Sequence, residues 1–179
     1  MAQVSKFSPF VRKWEGGFSN NPLDKGGATM AGITLATFQG YRKSKGLPEP
    51  TVEDLKKISD SEWNAIMKQN YWDKFQADKI NSQAIANLLV GWAWGSGPVT
   101  AIKQFQKLAG LFQDGVVGAK TLSAINDADP KVLFNKIWLA RKDFFIDICI
   151  RDKTQLVFLK GWLNRLYDNV DYCFNLAPK

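Results

Sequence analysis

Residues 17–34, GFSNNPLDKGGATMAGIT, interrupt a chain that otherwise reads as helix. Gly, Asn, Pro and Asp crowd this stretch. Each favours turns: Gly reaches positive φ, Pro lacks a backbone N–H, and Asn and Asp bond to their own backbone. The short runs between them predict a small hairpin sheet. Before it, Phe7, Phe10, Val11 and Trp14 fall at i, i+3, i+4 and i+7, one apolar helical stripe. That predicts a helix from about Gln3 to Trp14 or Glu15, stopped by Gly16-Gly17.

After the hairpin the pattern returns to helix. Thr34 can cap a helix over 35–45. Thr51 with Asp54, and Ser59 with Glu62, have the spacing of capping boxes, and the second opens a helix carrying Trp63, Ile66, Met67 and Tyr71. Asn81 or Ser82 starts an apolar helix through about Trp94, broken by Gly95–Pro98. Further helices are expected at Val99–Leu108, 119–126, 130–151 with Pro130 in its first turn, and 154–173. The fold class is therefore mainly α, with a small N-terminal β-hairpin lobe. The Gly95–Pro98 break divides the chain into 1–94 and 95–179, and apolar faces on both sides point to a shared core.

Composition narrows the chemistry. The chain has no His, which removes Ser-His-Asp and Cys-His nucleophile systems and His-based zinc sites. Catalysis is left to carboxylates, hydroxyls, Lys or Tyr. Its two Cys, Cys149 and Cys173, sit in apolar helical contexts and read as buried free thiols. A net charge of +7 suits an acidic partner, but no Lys/Arg run is long enough for a nucleic-acid tail. The N-terminus has no continuous apolar core of a secretory signal, and no apolar run approaches a membrane span. Synthesis in the cytoplasm without stable membrane insertion is the expectation.

Glu15 is the residue with most chemical promise. It ends an amphipathic helix beside Trp14, where the helix dipole and apolar neighbours favour a carboxyl that keeps its proton. Such a group can protonate a leaving oxygen. Position alone also fits a solvated helix-end residue. The spacing E-x8-D-x4-T, however, brings Asp24 and Thr29 into the hairpin that follows, where they can hold a water opposite Glu15. Glycoside hydrolysis needs one protonated and one ionised carboxyl flanking the sugar. Trp14, Phe18 and Tyr71 are candidates to stack on sugar faces, although each also fits a core position.

The stretch WEGGFSNNPLDKGGATMAGIT resembles the signature of the phage and prophage muramidases of glycoside hydrolase family 108. That pattern runs roughly E-G-G-Y-x-N-D-P-x-D-x-G-G-x-T-x-x-G-I-T. Glu15, Gly16, Gly17, Asn20, Pro22, Asp24, Gly26, Gly27, Thr29, Gly32, Ile33 and Thr34 match it. Asn21 and Leu23 stand where the family often carries Asp. The second half, GSGPVTAIKQFQKLAGLFQDGVVGAKTLSAIN, resembles the peptidoglycan-binding-type segment found beside that catalytic region. Its marks are Asp114, Gly115, Gly118 and Thr121 in D-G-x-x-G-x-x-T. An Asp often found upstream in this segment is replaced here by Gly91 or Trp92. The FLKGWLNR stretch, Phe158 to Arg165, matches the family's closing helix and reads as core with a surface Arg.

The resemblance implies a lysozyme-like fold and cleavage of peptidoglycan between N-acetylmuramic acid and N-acetylglucosamine. It implies Glu15 as catalytic acid, Asp24 and Thr29 as helpers, and no metal or cofactor. Asp114 becomes a candidate substrate-binding residue of the second segment. The implied partner is the glycan strand, met by a monomer at the cell wall after holin-type or other release. Two other readings stay open: a lytic transglycosylase, and a non-catalytic cell-wall-binding or secretion-helper protein, since relatives have been labelled secretion activators.

Overall fold

A computed structural model describes residues 1–20 and 27–175. A short 3₁₀ turn, Val4–Lys6, leads into helix α1, Ser8–Trp14, with Pro9 in its first turn. The single helix expected from Gln3 is thus broken at Phe7, and Pro9 has no N–H to bond back to the Ser5 carbonyl and carry one ladder through this point. Strands β1 (Phe18–Ser19), β2 (Thr29–Met30) and β3 (Ile33–Thr34) form an antiparallel sheet in the order β1-β2-β3. Phe18 pairs with Met30, and Met30 with Ile33. Ala31 and Gly32 make the β2–β3 turn at φ 47° and 77°. Two positive-φ residues match the turn to the strand twist.

Local signals set the next helices. Thr34 caps α2 (Leu35–Ser44) through the Thr37 amide. Complete capping boxes open α3 (Val52–Lys56) from Thr51 and α4 (Asp60–Met67) from Ser59. The chain then widens into a π turn, Lys68–Trp72, which carries Tyr71. Ser82 caps α5 (Gln83–Ser96), and Gly97 alone, at φ 82°, separates it from α6 (Pro98–Leu108). The expected four-residue break is one residue wide, because Gly97 takes the turn and Pro98 already belongs to the next helix. Helices α7 (Ala119–Asn126), α8 (Pro130–Arg151) and α9 (Leu156–Asn175) complete the chain, and a 3₁₀ turn over Lys153–Gln155 precedes α9.

Helix α5 is the axis of the molecule. Every residue from Ile85 to Ala93 is buried, and one apolar cluster runs from Ala2 to Cys173. A helix buried on all sides must be enclosed by others; α6, α8 and α9 pack on it. Helix α9 also reaches back to the start of the chain. Tyr172 lies 5.3 Å from the Phe10 ring and donates its hydroxyl to the Lys6 carbonyl. Cys149 and Cys173 are free and buried, and burial pushes the Cys173 thiol up to about 12. No helix among the described residues is long and apolar enough to cross a membrane.

One buried charge runs against this apolar plan. Arg141 of α8 is 2% exposed and donates to the Gly91 carbonyl, while its Nε and Nη1 have no hydrogen-bond partner among the described residues. Gly91 leaves no acid beside it; a Cβ there would lie 2.6 Å from Asn169 Nδ2 and 3.2 Å from Arg141 Nη1. Burial, with the nearby Arg165 charge, pushes the Arg141 guanidinium down to about 9. An unpaired buried charge is costly, so Arg141→Met is expected to stabilise the fold by about 1–4 kcal/mol. Below pH 9 both states hold the proton and the gain is constant. As pH rises above about 9 the folded wild type binds fewer protons than the unfolded chain, so the gain shrinks. Denaturant titrations of both proteins across pH check this; a destabilised Arg141→Met would contradict it.

Candidate active site

Glu15 follows α1 directly. It leaves the helix in extended conformation, φ −89° and ψ 130°, so its side chain turns away from the α1 surface. The side chain is 12% exposed. Two groups meet on one oxygen: Trp94 Nε1 donates to Glu15 Oε1 at 2.7 Å, and the Arg165 guanidinium pairs with it at 2.8 Å. The other oxygen, Oε2, lies against the β2–β3 turn. A Cβ built on Gly32 would sit 2.4 Å from Oε2 and 2.8 Å from Cδ. The glycine of the GIT motif is therefore required twice over, by its φ of 77° and by the carboxyl beside it.

Aromatic packing holds this arrangement from behind. Trp94 packs against Tyr71 at 4.5 Å and Trp63 at 5.5 Å between ring centroids. Trp63 donates its indole N–H to the Ala31 carbonyl at 2.8 Å, tying the turn that carries Gly32 to α4. Arg12 lies over the other side of Trp63 and pairs with Asp60. Burial, then the Glu15 charge, pushes the Tyr71 hydroxyl up from its usual range.

The other residues singled out in the sequence fall as follows. Tyr71 is half-buried and belongs to the Glu15 surroundings through Trp94. Trp14 is half-buried, and its indole N–H donates to Asp168 of α9 at 2.5 Å. Phe18 is exposed on β1, with the Lys56 ammonium 4.7 Å from its ring centre. Thr29 lies on β2 and donates its hydroxyl to the Gly27 carbonyl at 3.2 Å. Asp24 lies outside the described residues. Asp114 braces its own loop: its Oδ1 accepts from the Val116 amide and from Gln106 Nε2, and these bonds hold its carboxyl below the usual range. Gln106 is buried and also reaches Thr121 and the Gly115 amide, so D-G-x-x-G-x-x-T is knitted by one glutamine.

Two site residues had no role in the sequence reading. Trp94 looked like the end of an apolar helix, and its N–H instead serves Glu15. Arg165 is a correction: it is half-buried and paired with Glu15, not a surface Arg. Its only local signal was membership of the FLKGWLNR stretch. Among the described residues no group of three or more Cys, Asp or Glu is arranged to hold a metal ion.

Comparison with known proteins agrees with this layout. Residues 8–97 match the family described as Glycosyl hydrolase 108, and residues 100–167 match a "Predicted Peptidoglycan domain". No curated protein matches the chain. Among solved structures, SagA of Brucella abortus is similar over 98% of this chain and 96% of its own, at 30% identity and a TM-score of 0.79. With half of its length under the first match and a lysozyme-like neighbour over nearly all of it, the chain belongs to the glycosyl hydrolase 108 family and is a peptidoglycan-cleaving glycoside hydrolase.

Proposed function

We propose that the enzyme hydrolyses the β-1,4 bond between N-acetylmuramic acid and N-acetylglucosamine, with Glu15 as general acid. The observation that carries this reading is the Glu15 carboxyl itself. Its Oε1 is occupied by Trp94 and Arg165, and its Oε2 lies at the Gly32 turn. A proton carried on Oε2 passes to the glycosidic oxygen, and the charge then left on the carboxyl falls beside the Trp94 N–H and the Arg165 cation. Donors aimed at charge that develops during reaction favour the transition state over the ground state.

Asp24 and Thr29 are proposed to place the water that attacks the anomeric carbon. Support for Thr29 is its place on β2, the strand leading into the Gly32 turn. Tyr71, Trp14 and Phe18 are proposed as sugar-facing aromatics, and Asp114 as a glycan contact through Oδ2. The second segment, 95–179, is read as packing on the core of 1–94 while adding glycan affinity. The enzyme is further read as a monomer that reaches the wall by holin-type or other release. Its net +7 charge meets acidic wall rather than nucleic acid.

Mass spectrometry of purified peptidoglycan digested by the enzyme tests the reaction. Hydrolysis predicts fragments ending in a reducible N-acetylmuramic acid. Fragments ending in an anhydro sugar would show a lytic transglycosylase and remove the water-holding roles of Asp24 and Thr29. Retention on the wall without new ends would leave a binding protein.

A further inference from the structure

Three successive side chains at the end of α1 are tied to a single turn of α9. Lys13 Nζ lies 2.8 Å and Trp14 Nε1 2.5 Å from the Asp168 carboxylate, and Glu15 pairs with Arg165 at 2.8 Å. Arg165 and Asp168 are three apart, so they project from one face of the helix. Burial opposes ionisation of Asp168, but its bonds from Lys13 and Trp14 prevail and hold it below the usual carboxylate range. Asp168 therefore stays anionic at neutral pH as an anchor. Arg165 belongs to the segment that matches the peptidoglycan domain, residues 100–167, whereas Glu15 belongs to the hydrolase match, residues 8–97.

We propose that Arg165 is a positioning residue of the hydrolase centre, so that the closing helix of the second segment completes the active site. The proposal rests on Glu15 being the acid. Trp94 alone supplies one neutral donor to Oε1. Arg165 adds a full charge and a second direction, which fixes the carboxyl plane and keeps Oε2 at the Gly32 turn. The charged or titratable groups around it, among the described residues, are few. Tyr71 faces Glu15 from the π turn, Arg141 stands behind Arg165 from α8, and the Lys13–Asp168 pair sits one turn along α9. Arg165 is the cation that touches the carboxyl, and it is only 21% exposed, so solvent screens the pair weakly. The second segment thus has a part in the chemistry that is separate from any grip on glycan.

The test uses the full chain on a soluble, defined peptidoglycan oligomer, with thermal melting run alongside. Arg165→Met is expected to remain folded and to lose about 10- to 100-fold in kcat with KM little changed. Arg165→Lys restores the charge and should return part of the rate. Should Arg165→Met not fold, Arg165→Gln drops the charge while keeping a donor and carries the same readout. An uncharged variant with wild-type kcat overturns the proposal. So does a loss that only tracks melting and is the same in Arg165→Lys. Glu15→Gln, run in the same assay, separates the two levels. If it is inactive while the uncharged Arg165 variant behaves as wild type, only this inference falls; if it stays fully active, the acid assignment falls and takes this inference with it.

Discussion

Glu15→Gln is expected to fold as the wild type does and to lose about 10²- to 10⁴-fold of its rate on purified peptidoglycan. The amide keeps the shape of the acid, and its carbonyl can still accept from Trp94 and lie against the Arg165 guanidinium, which now meet at Oε1. What it lacks is a transferable proton. The glycosidic oxygen of a sugar polymer is a poor leaving group until protonated, so the loss should appear in kcat rather than in binding. Release of reducing ends, with melting curves alongside, measures it. A Gln variant that clears the wall at the wild-type rate would contradict the assignment.

Gly32→Ala should be nearly as damaging, although residue 32 carries no chemistry. The added Cβ would lie 2.4 Å from Glu15 Oε2, 2.8 Å from its Cδ and 2.9 Å from Trp94 Cζ2, on a backbone at φ 77°. The left-handed backbone alone costs an alanine about 1–2 kcal/mol. The contact then pushes the carboxyl off its donors, and misplacement on that scale costs about 10²-fold in rate. Gly46→Ala is the control. Gly46 has φ 66°, but a Cβ there meets nothing within 4 Å. It should lose similar stability from the backbone and keep its activity. Equal activity losses in the two variants would show that strain, not displacement of Glu15, is responsible.

What the sequence revealed and what it hid follow the range of the interactions involved. The caps at Thr34, Thr51 and Ser59 depend on neighbours three residues away and stand as read, and of the two candidates Asn81 and Ser82 it is Ser82 that caps α5. The small sheet within 17–34 and the free, buried Cys149 and Cys173 were legible for the same reason: turn chemistry and apolar context are local. The break at Phe7 carried a signal too, in the N–H that Pro9 lacks, but the apolar stripe from Phe7 to Trp14 masked it. The π turn at Lys68–Trp72 gave no warning, because a 3.6-residue period continues smoothly through Tyr71. Arg165 was hidden more deeply. It lies 150 residues from its partner, and a lone cation on an amphipathic helix looks the same whether it faces water or a carboxylate. Glu15 could be singled out because Trp14, Gly16 and Gly17 surround it in sequence; the residues that hold it in place arrive from α5 and α9.

The acid role of Glu15 is tested most directly by how much the leaving group matters. Wild type and Glu15→Gln are compared on peptidoglycan oligomer and on a dinitrophenyl glycoside of the same disaccharide, whose leaving group departs without protonation. The account predicts that bond cleavage by Glu15→Gln collapses on the oligomer and is largely retained on the dinitrophenyl glycoside. Equal loss on both substrates, or loss on neither, would contradict it.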